Sequence, residues 1–216
     1  MRSESGPIVQ KELTFTGAAR RAQIVTAAIE TIAEVGYGQA SLARIAQRIS
    51  ISKGVIVYHF GTKEELVKAV VAEVLGKARD YMVPRIGAAS GGREKLRAYI
   101  ESNIGFMAEH RSDMIAIAEI ARSARDSAGK RTFDASSLEA GRAGLAQLIA
   151  GFQGGGEFRS DFDARVMAET IREAIDALPR RMAANPDLEI DLYRRELADL
   201  FDRATRSETA SAGGQP

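Results

Sequence analysis

Apolar residues recur along most of this chain at intervals of three and four, the spacing that gathers them on one face of a helix. Ile24, Ala28, Ile32 and Val35 predict a helix over residues 18–35, with Thr16 as its candidate N-cap and Gly36 as its stop. Leu42, Ile45, Ala46 and Ile49 predict a short second helix behind Ser41, a good N-cap. Ser50 and Ile51 break the period. Ser52 then opens a third short helix whose inward residues are Ile56 and Phe60, at i and i+4. Thr62-Lys63-Glu64-Glu65 fits a capping box and starts a long helix carrying Leu66, Val70, Val74 and Tyr81, to about Val83 before Pro84. Further helices are expected at 93–109, 112–126, 134–152, 163–184 and 188–206, with glycine-rich turns at Ser90-Gly91-Gly92 and Gly154-Gly155-Gly156. Strand-like alternation is missing. The expected fold class is all-α: an N-terminal three-helix module joined by a long helix to a larger helical body.

The pair of short helices carries candidate chemistry. A helix over 52–59 is roughly 12 Å long at 1.5 Å per residue, and the DNA major groove is about 12 Å wide. With Ile56 and Phe60 turned inward, Lys53, Val55, Val57, Tyr58 and His59 are left outside. Gly54 costs about 1 kcal/mol of helix stability relative to Ala, and its missing side chain lets backbone approach backbone, as a phosphate contact requires. Val55-Ile56-Val57 is a β-branched run, also a poor choice for a short exposed helix. Such broken local rules point to function. Ala46 provides the small contact that two steeply crossing helices need, and Ile51 plugs the angle between them. A compact helical hairpin with no nucleic-acid role is the bland alternative.

The segment 18–78 resembles the DNA-binding domain of the TetR family of transcriptional regulators. The likeness lies in a first helix ending at Gly36-Tyr37, then Ser41, Ile45-Ala46, Ser52-Lys53-Gly54, Tyr58-His59-Phe60 and Lys63-Glu64-Glu65-Leu66. The resemblance implies a homodimer on a double-stranded operator, each subunit placing its third helix in a major groove. It implies that Lys53, Gly54, Val55 and Val57 face bases or nearby backbone, and that Ser41, Tyr58, His59 and Lys63 hold phosphates. Arg20, Arg21, Arg44 and Ser52 complete the candidate DNA-binding set. Arg20 and Arg21 stand in the first turn of the first helix, where the macrodipole disfavours cations. They are read either as phosphate or minor-groove contacts or as a solvated pair. Two departures from the family pattern are visible. Ile49-Ser50 replaces small turn residues, and Ser in a left-handed turn costs about 1–2 kcal/mol. Val57 can touch a thymine methyl but cannot hydrogen-bond a base edge.

The resemblance also implies a C-terminal domain that binds a small-molecule effector and dimerises. On this reading residues 1–17 are a flexible arm, 18–78 the DNA-binding domain with its helix-turn-helix at 41–60, 79–206 the ligand-binding and dimerisation domain, and 207–216 a disordered tail. Asn103 and His110 fall on or near the apolar stripe of Leu96, Ile100 and Met107. With Phe106, Met107, Met114, Ile117 and Phe152 they form the candidate ligand set, although a plain core would use the same residues. Leu138, Leu145, Leu148, Ile149 and Phe152 share one face of the helix at 134–152. The last two helices carry the clearest amphipathic stripes. Ile171, Ala174, Leu178, Tyr193, Leu197, Leu200 and Phe201 are the candidate dimer contacts, to be buried either in a four-helix bundle with a second copy or in the chain's own core.

Composition narrows function further. The net charge is only +1, yet residues 18–63 hold six basic residues against two acidic ones (Glu30 and Glu34), a local balance of +4 that favours a phosphate-facing patch. The chain has no Cys, which removes disulfides, thiolate nucleophiles and Cys-based metal sites. Its two His, His59 and His110, lie apart, and there is no Gly-x-Ser-x-Gly elbow, phosphate-binding loop or metal-ligand spacing. No cofactor or metal is expected, and an enzyme is the weakest reading. No apolar run approaches the ~20 residues of a membrane span, and the polar N-terminus lacks a signal-peptide centre, so a cytoplasmic protein is expected. The expected function is a sequence-specific transcriptional regulator, a repressor released by a small molecule. The rival is a helical protein-interaction module without DNA binding.

Overall fold

The computed structural model describes residues 15–123, 136–185 and 187–207. Residues 1–14 of the arm expected over 1–17, the helix ends at 124–126 and 134–135 and the tail from 208 lie outside these residues, as does the side chain of Leu138, while residues 15–17 are helical rather than part of an arm. Ten helices follow one another among the described residues: α1 (Phe15–Gln39), α2 (Leu42–Arg48), α3 (Lys53–Phe60), α4 (Lys63–Ala88), α5 (Gly91–Glu109), α6 (Arg111–Ser123), α7 (Ser136–Gly154), α8 (Ala164–Asp176), α9 (Leu178–Ala184) and α10 (Ile190–Thr205). The all-α expectation holds.

The expected stripe of α1 is what the N-terminal helices pack on. Ile24, Ala28 and Ile32 are buried, together with Ile45 and Ala46 of α2, Ile56 and Phe60 of α3, and Leu66 and Val70 of α4. The helix starts at Phe15, so Thr16 sits within its first turn rather than capping it. Gly36 (φ 78°, ψ 157°) breaks it where a stop is expected, in a backbone conformation that L side chains rarely adopt. The chain still turns about that point, since Ala40 N–H donates to the Gly36 carbonyl (3.2 Å).

Two further helix boundaries differ from expectation, both at proline. α4 does not end before Pro84 but runs through it to Ala88. Proline removes one donor there, and the Arg85 guanidinium donates to the Tyr81 carbonyl on the same stretch (2.6 Å) while lying over the Tyr81 ring. The helix expected over 163–184 is two helices. Pro179 opens α9, and its missing N–H and fixed φ interrupt the ladder between Asp176 and Leu178. The first half, α8, is capped by Asp163, whose carboxylate accepts from the N–H groups of Arg165 and Val166.

The body is a set of paired helices hung on α4 and α5. α10 lies along α5, α7 packs on α8, and α6 bridges α9 and α1. The α5–α10 pair is clasped at its edge by ions. Arg93 donates two parallel bonds to Asp202 (2.8 Å each), and Arg97 bonds Asp199 and Glu101. These bonds hold the Asp202 carboxyl below the usual carboxylate range. At the start of α5, Gly92 N–H donates to the Glu157 carboxylate (2.6 Å), and the Phe152 ring lies directly against the glycine. α6 reaches the N-terminal helices at the break in α1, where a Cβ on Gly36 would stand 3.1 Å from the Glu119 carboxylate. The N-terminal helices and the body are thus joined twice: by the unbroken α4, which runs through residue 78, and by α6 on α1.

A Cβ at Gly92 would come within 2.5 Å of Phe152 Cγ, close to that residue's own backbone, so the clash cannot be relieved by a side-chain tip. Gly92→Ala is expected to destabilise the fold by about 1–3 kcal/mol, read as a lower midpoint in equilibrium urea unfolding. An unchanged midpoint would mean that α5 and α7 do not meet as described.

Candidate nucleic-acid interface

α2 and α3 form the interface from the inside out. Ser41 caps α2, its hydroxyl accepting from Arg44 N–H (3.2 Å). After Ile49 the chain turns through Ser50 at φ 55°, the only positive φ on a described non-glycine residue. Ser50 N–H donates to the Gln47 carbonyl (3.2 Å) and Ile51 N–H to Ala46 (3.0 Å), so the turn closes on α2 despite its strain. Ile51 is half-buried in the angle between the helices. α3 then follows with Ile56 and Phe60 buried beneath it.

The outward face of α3 presents Lys53, Gly54, Val57 and Tyr58. Tyr58 is 68% exposed and Val57 42%, large apolar surface that a folded core would normally cover. Val55 and His59 are half-buried at the edges of this face. The Tyr58 and His59 rings meet edge to face, 5.2 Å between centroids. Gly54 leaves open space around its missing side chain, with only Ser52 Oγ within 4 Å. The Ser52 hydroxyl does not cap α3 and bonds no described residue.

The basic residues divide into two groups. Arg21 donates to the His59 carbonyl (2.8 Å) and lies 4.1 Å over the Phe60 ring, so it ties α1 to the last turn of α3. Lys63 donates to the Tyr37 carbonyl (2.7 Å) and lies 4.2 Å from the Tyr37 ring centre; burial pushes its ammonium below the usual lysine range. Burial also raises the Tyr37 hydroxyl. Arg48 bonds Glu30 (2.9 Å) and Glu34 (2.6 Å), which consumes both acidic residues of the patch and one of its cations. Lys53, Arg20 and Arg44 remain exposed or nearly so, with Arg20 on Gln23 (2.6 Å) and Arg44 on Gln39 at a long 3.5 Å. The net charge of the segment therefore overstates what faces solvent unpaired. The spacing of Glu30 and Glu34, four apart on α1 and so on one face, was the available signal for the Arg48 pair.

With this geometry, residues 24–70 match the sequence profile of the bacterial regulatory proteins of the tetR family. This segment, which contains the helix-turn-helix, matches the DNA-binding region of the TetR family. The HTH-type transcriptional regulator BetI 1 of Chromohalobacter salexigens is 36% identical over 85 residues, which are 39% of this chain and 42% of that protein. The match therefore spans less than half of the relative. The whole fold resembles a transcriptional regulator of Saccharomonospora viridis solved with choline (TM-score 0.76, 21% identity, 88% of this chain and 100% of that one). It also resembles FadR of Bacillus subtilis solved with stearoyl-CoA (TM-score 0.72, 23% identity, 83% and 96%). The TetR-type helix-turn-helix thus sits on a body of similar architecture.

The candidate ligand residues do not all converge. Phe106 and His110 stack with centroids 4.3 Å apart, and His110 Nδ1 lies 3.1 Å from Asp113 Oδ2, whose other oxygen meets Lys77 of α4 at 3.4 Å. Met107 and Met114 are buried and Ile117 half-buried. Asn103 is turned elsewhere. Its amide donates to the Tyr99 carbonyl (2.9 Å) and accepts from Arg172 (3.0 Å), which also bonds the Tyr99 hydroxyl and Asp176. Burial raises the Asp176 carboxyl above the usual range despite Arg172 beside it. Phe152 lies against Gly92 and Phe158 at the opposite end of α5, roughly 20 Å from Phe106 by helix rise. Of the candidate dimer residues, Ile171, Leu178 and Phe201 are buried inside the chain itself. Ala174, Tyr193 and Leu197 are half-buried and Leu200 is exposed. Exposed Val166 and Leu192 join them on α8 and α10, a pair that a search for complete stripes passes over.

Ser50→Gly removes the left-handed strain at the turn at some cost in unfolded-state entropy. A net gain of about 0.5–1 kcal/mol is expected in equilibrium unfolding, with the helix content unchanged by circular dichroism. A loss of stability would mean that the turn is not left-handed in solution.

Proposed function

We propose that this protein is a sequence-specific DNA-binding transcriptional regulator, a repressor released from its operator by a small-molecule effector. One observation carries the reading. α3 keeps Lys53, Val57 and Tyr58 exposed on a helix short enough for the major groove, while its other face is fixed by Ile56, Phe60 and the Arg21 bond. The family match over the same residues supports it. The reading helix offers one cation, one phenol and apolar surface, a set better fitted to phosphates and thymine methyls than to bidentate recognition of guanine. One such helix reads too few base pairs for a specific site, so the active species is a homodimer on two half-sites. Exposed Leu192 and Leu200, two turns apart on α10, and Val166 on α8 are the apolar surface offered to the second copy.

Release is coupled through α4 and α6, which connect the body to the reading module. A ligand in the body shifts the spacing of the two α3 helices only if it binds one arrangement more tightly than the other. The choline and stearoyl-CoA held by the two structural neighbours support a small molecule in this role.

Selection of bound DNA from a random pool is expected to return a site with two half-sites related by a dyad. Affinity for it falls log-linearly with salt as counterions are released. Lys53→Ala is expected to weaken binding and reduce that salt slope by about 1, with thermal stability unchanged. Arg21→Ala, by contrast, lowers thermal stability by about 1–2 kcal/mol and weakens binding through the loosened α3. A dimer with no preference over random DNA would overturn the function. Leu200→Glu is expected to shift the chain toward monomer in sedimentation velocity.

A further inference from the structure

A second concentration of unpaired positive charge lies at the far end of the body. The loop between α7 and α8 folds back on the last turn of α10. Arg159 N–H donates to the Thr205 carbonyl (3.0 Å), Arg159 Nε to Ala204 (2.9 Å), and Ser207 N–H to Glu157 (3.2 Å), while Phe158 and Arg206 form an isolated antiparallel bridge. Gln153 stiffens the loop from beneath, its amide donating to the carbonyls of Arg159 and Phe162 (3.0 Å each). Between loop and helix opens a cleft of about 650 Å³ lined by Arg159, Arg203, Arg206, Ser160, Ser207 and Asp161, among others.

Cations at a helix C-terminus usually serve its unpaired carbonyls. Here that work is already done. The Ala204 and Thr205 carbonyls accept from Arg159, Phe201 from the Thr205 hydroxyl, and Asp202 from Arg206 N–H. The nearby carboxylates are also engaged: Asp161 lies 3.4 Å from Arg159, and Asp202 takes both bonds from Arg93. Neither the Arg203 nor the Arg206 guanidinium makes a hydrogen bond or close ion pair with a described residue. Two planar donor forks, Arg203 in the last turn of α10 and Arg206 at its extended C-cap, therefore line one cleft with no close ion pair to either.

We propose that this cleft binds a small phosphorylated molecule, with Arg203 and Arg206 gripping the phosphoryl oxygens. Two guanidinium forks match a dianion with three free oxygens better than a single carboxylate. The volume lies within the range of small-molecule sites, so it accommodates a polar organic portion beside the phosphate. Operator DNA held on α3 is not the source of that phosphate. The cleft sits beside the start of α5, which follows the far end of α4, a helix about 39 Å long whose first turn adjoins α3. The inference stands apart from the DNA-binding reading and goes beyond it.

Isothermal titration of the full chain with pyrophosphate, at ionic strength held constant with chloride, tests this. One saturable site per chain is expected, with amide shifts confined to residues near 156–161 and 203–207 in a labelled sample. R203Q/R206Q, both at exposed positions, is expected to bind at least tenfold more weakly with the melting temperature of the free protein unchanged, while K53A binds as the parent does. Inorganic phosphate is expected to bind the same site more weakly, and malonate more weakly than pyrophosphate. The site is overturned if pyrophosphate gives no saturable heat, if R203Q/R206Q binds as tightly as the parent, or if K53A alone abolishes binding. Malonate binding as tightly as pyrophosphate overturns the phosphate class. None of these outcomes depends on whether the protein recognises an operator.

Discussion

The burial of one face of α1 is the constraint on which the other helices depend. Ile24, Ala28 and Ile32 leave water only if α2, α4 and α6 close over them, and each buried Ile contributes on the order of 1.5–3 kcal/mol. That single stripe therefore fixes elements belonging to both parts of the molecule. α3 packs on α2 and α4 and is held to α1 by Arg21, so the exposed face of Lys53, Val57 and Tyr58 inherits its direction from the same core. A helix of eight residues would not persist alone in water, and its stability is almost wholly tertiary.

Charge in this protein works mainly as a fastening between helices. Arg48 joins α2 to α1, Lys63 joins the start of α4 to the end of α1, and Arg93 and Arg97 hold α10 along α5. Exposed pairs of this kind are individually weak, but the bidentate Arg93–Asp202 geometry sets register as well as attraction. Most of the described cations are accounted for by such bonds. Lys53 on α3 and Arg203 and Arg206 at the end of α10 are among those that are not, and they line surfaces turned toward solvent. The two sites lie at opposite ends of α4, which leaves each free to bind without competing for the other's ligand.

The way α4 and α6 share the load between module and body also bears on regulation. α4 is continuous across the expected boundary at residue 78, so a tilt of its C-terminal half is felt at Lys63 without any hinge to absorb it. α6 adds a second contact at Gly36, where α1 breaks and Glu119 lies close to the glycine. His110 caps α5 and faces Asp113, which in turn meets Lys77 of α4. A change in the packing of the α5–α6 corner therefore reaches α4 directly through named side chains.

Much of this was legible in the chain itself because it is governed by neighbours in sequence. The helical period located nearly every helix, Gly36 and Thr62 marked a stop and a start, and the replacement of small residues at Ile49-Ser50 announced the positive φ found at Ser50. The reading face of α3 followed from Ile56 and Phe60 alone, since two inward residues at i and i+4 leave only one direction for the rest. Proline was the local signal given the wrong weight: it fails to end α4, and it splits α8 from α9. What tertiary structure alone decided is which side chains are already spent. Arg21, Arg48 and Lys63 are indistinguishable from Lys53 in a charge count, and Ile171, Leu178 and Phe201 from Leu200 in a hydrophobic stripe. Their partners lie 14 to 38 residues away for the cations, distances over which sequence spacing carries no information about contact. Only the packing of α1, α5 and α7 assigns them to the interior and leaves the others to bind.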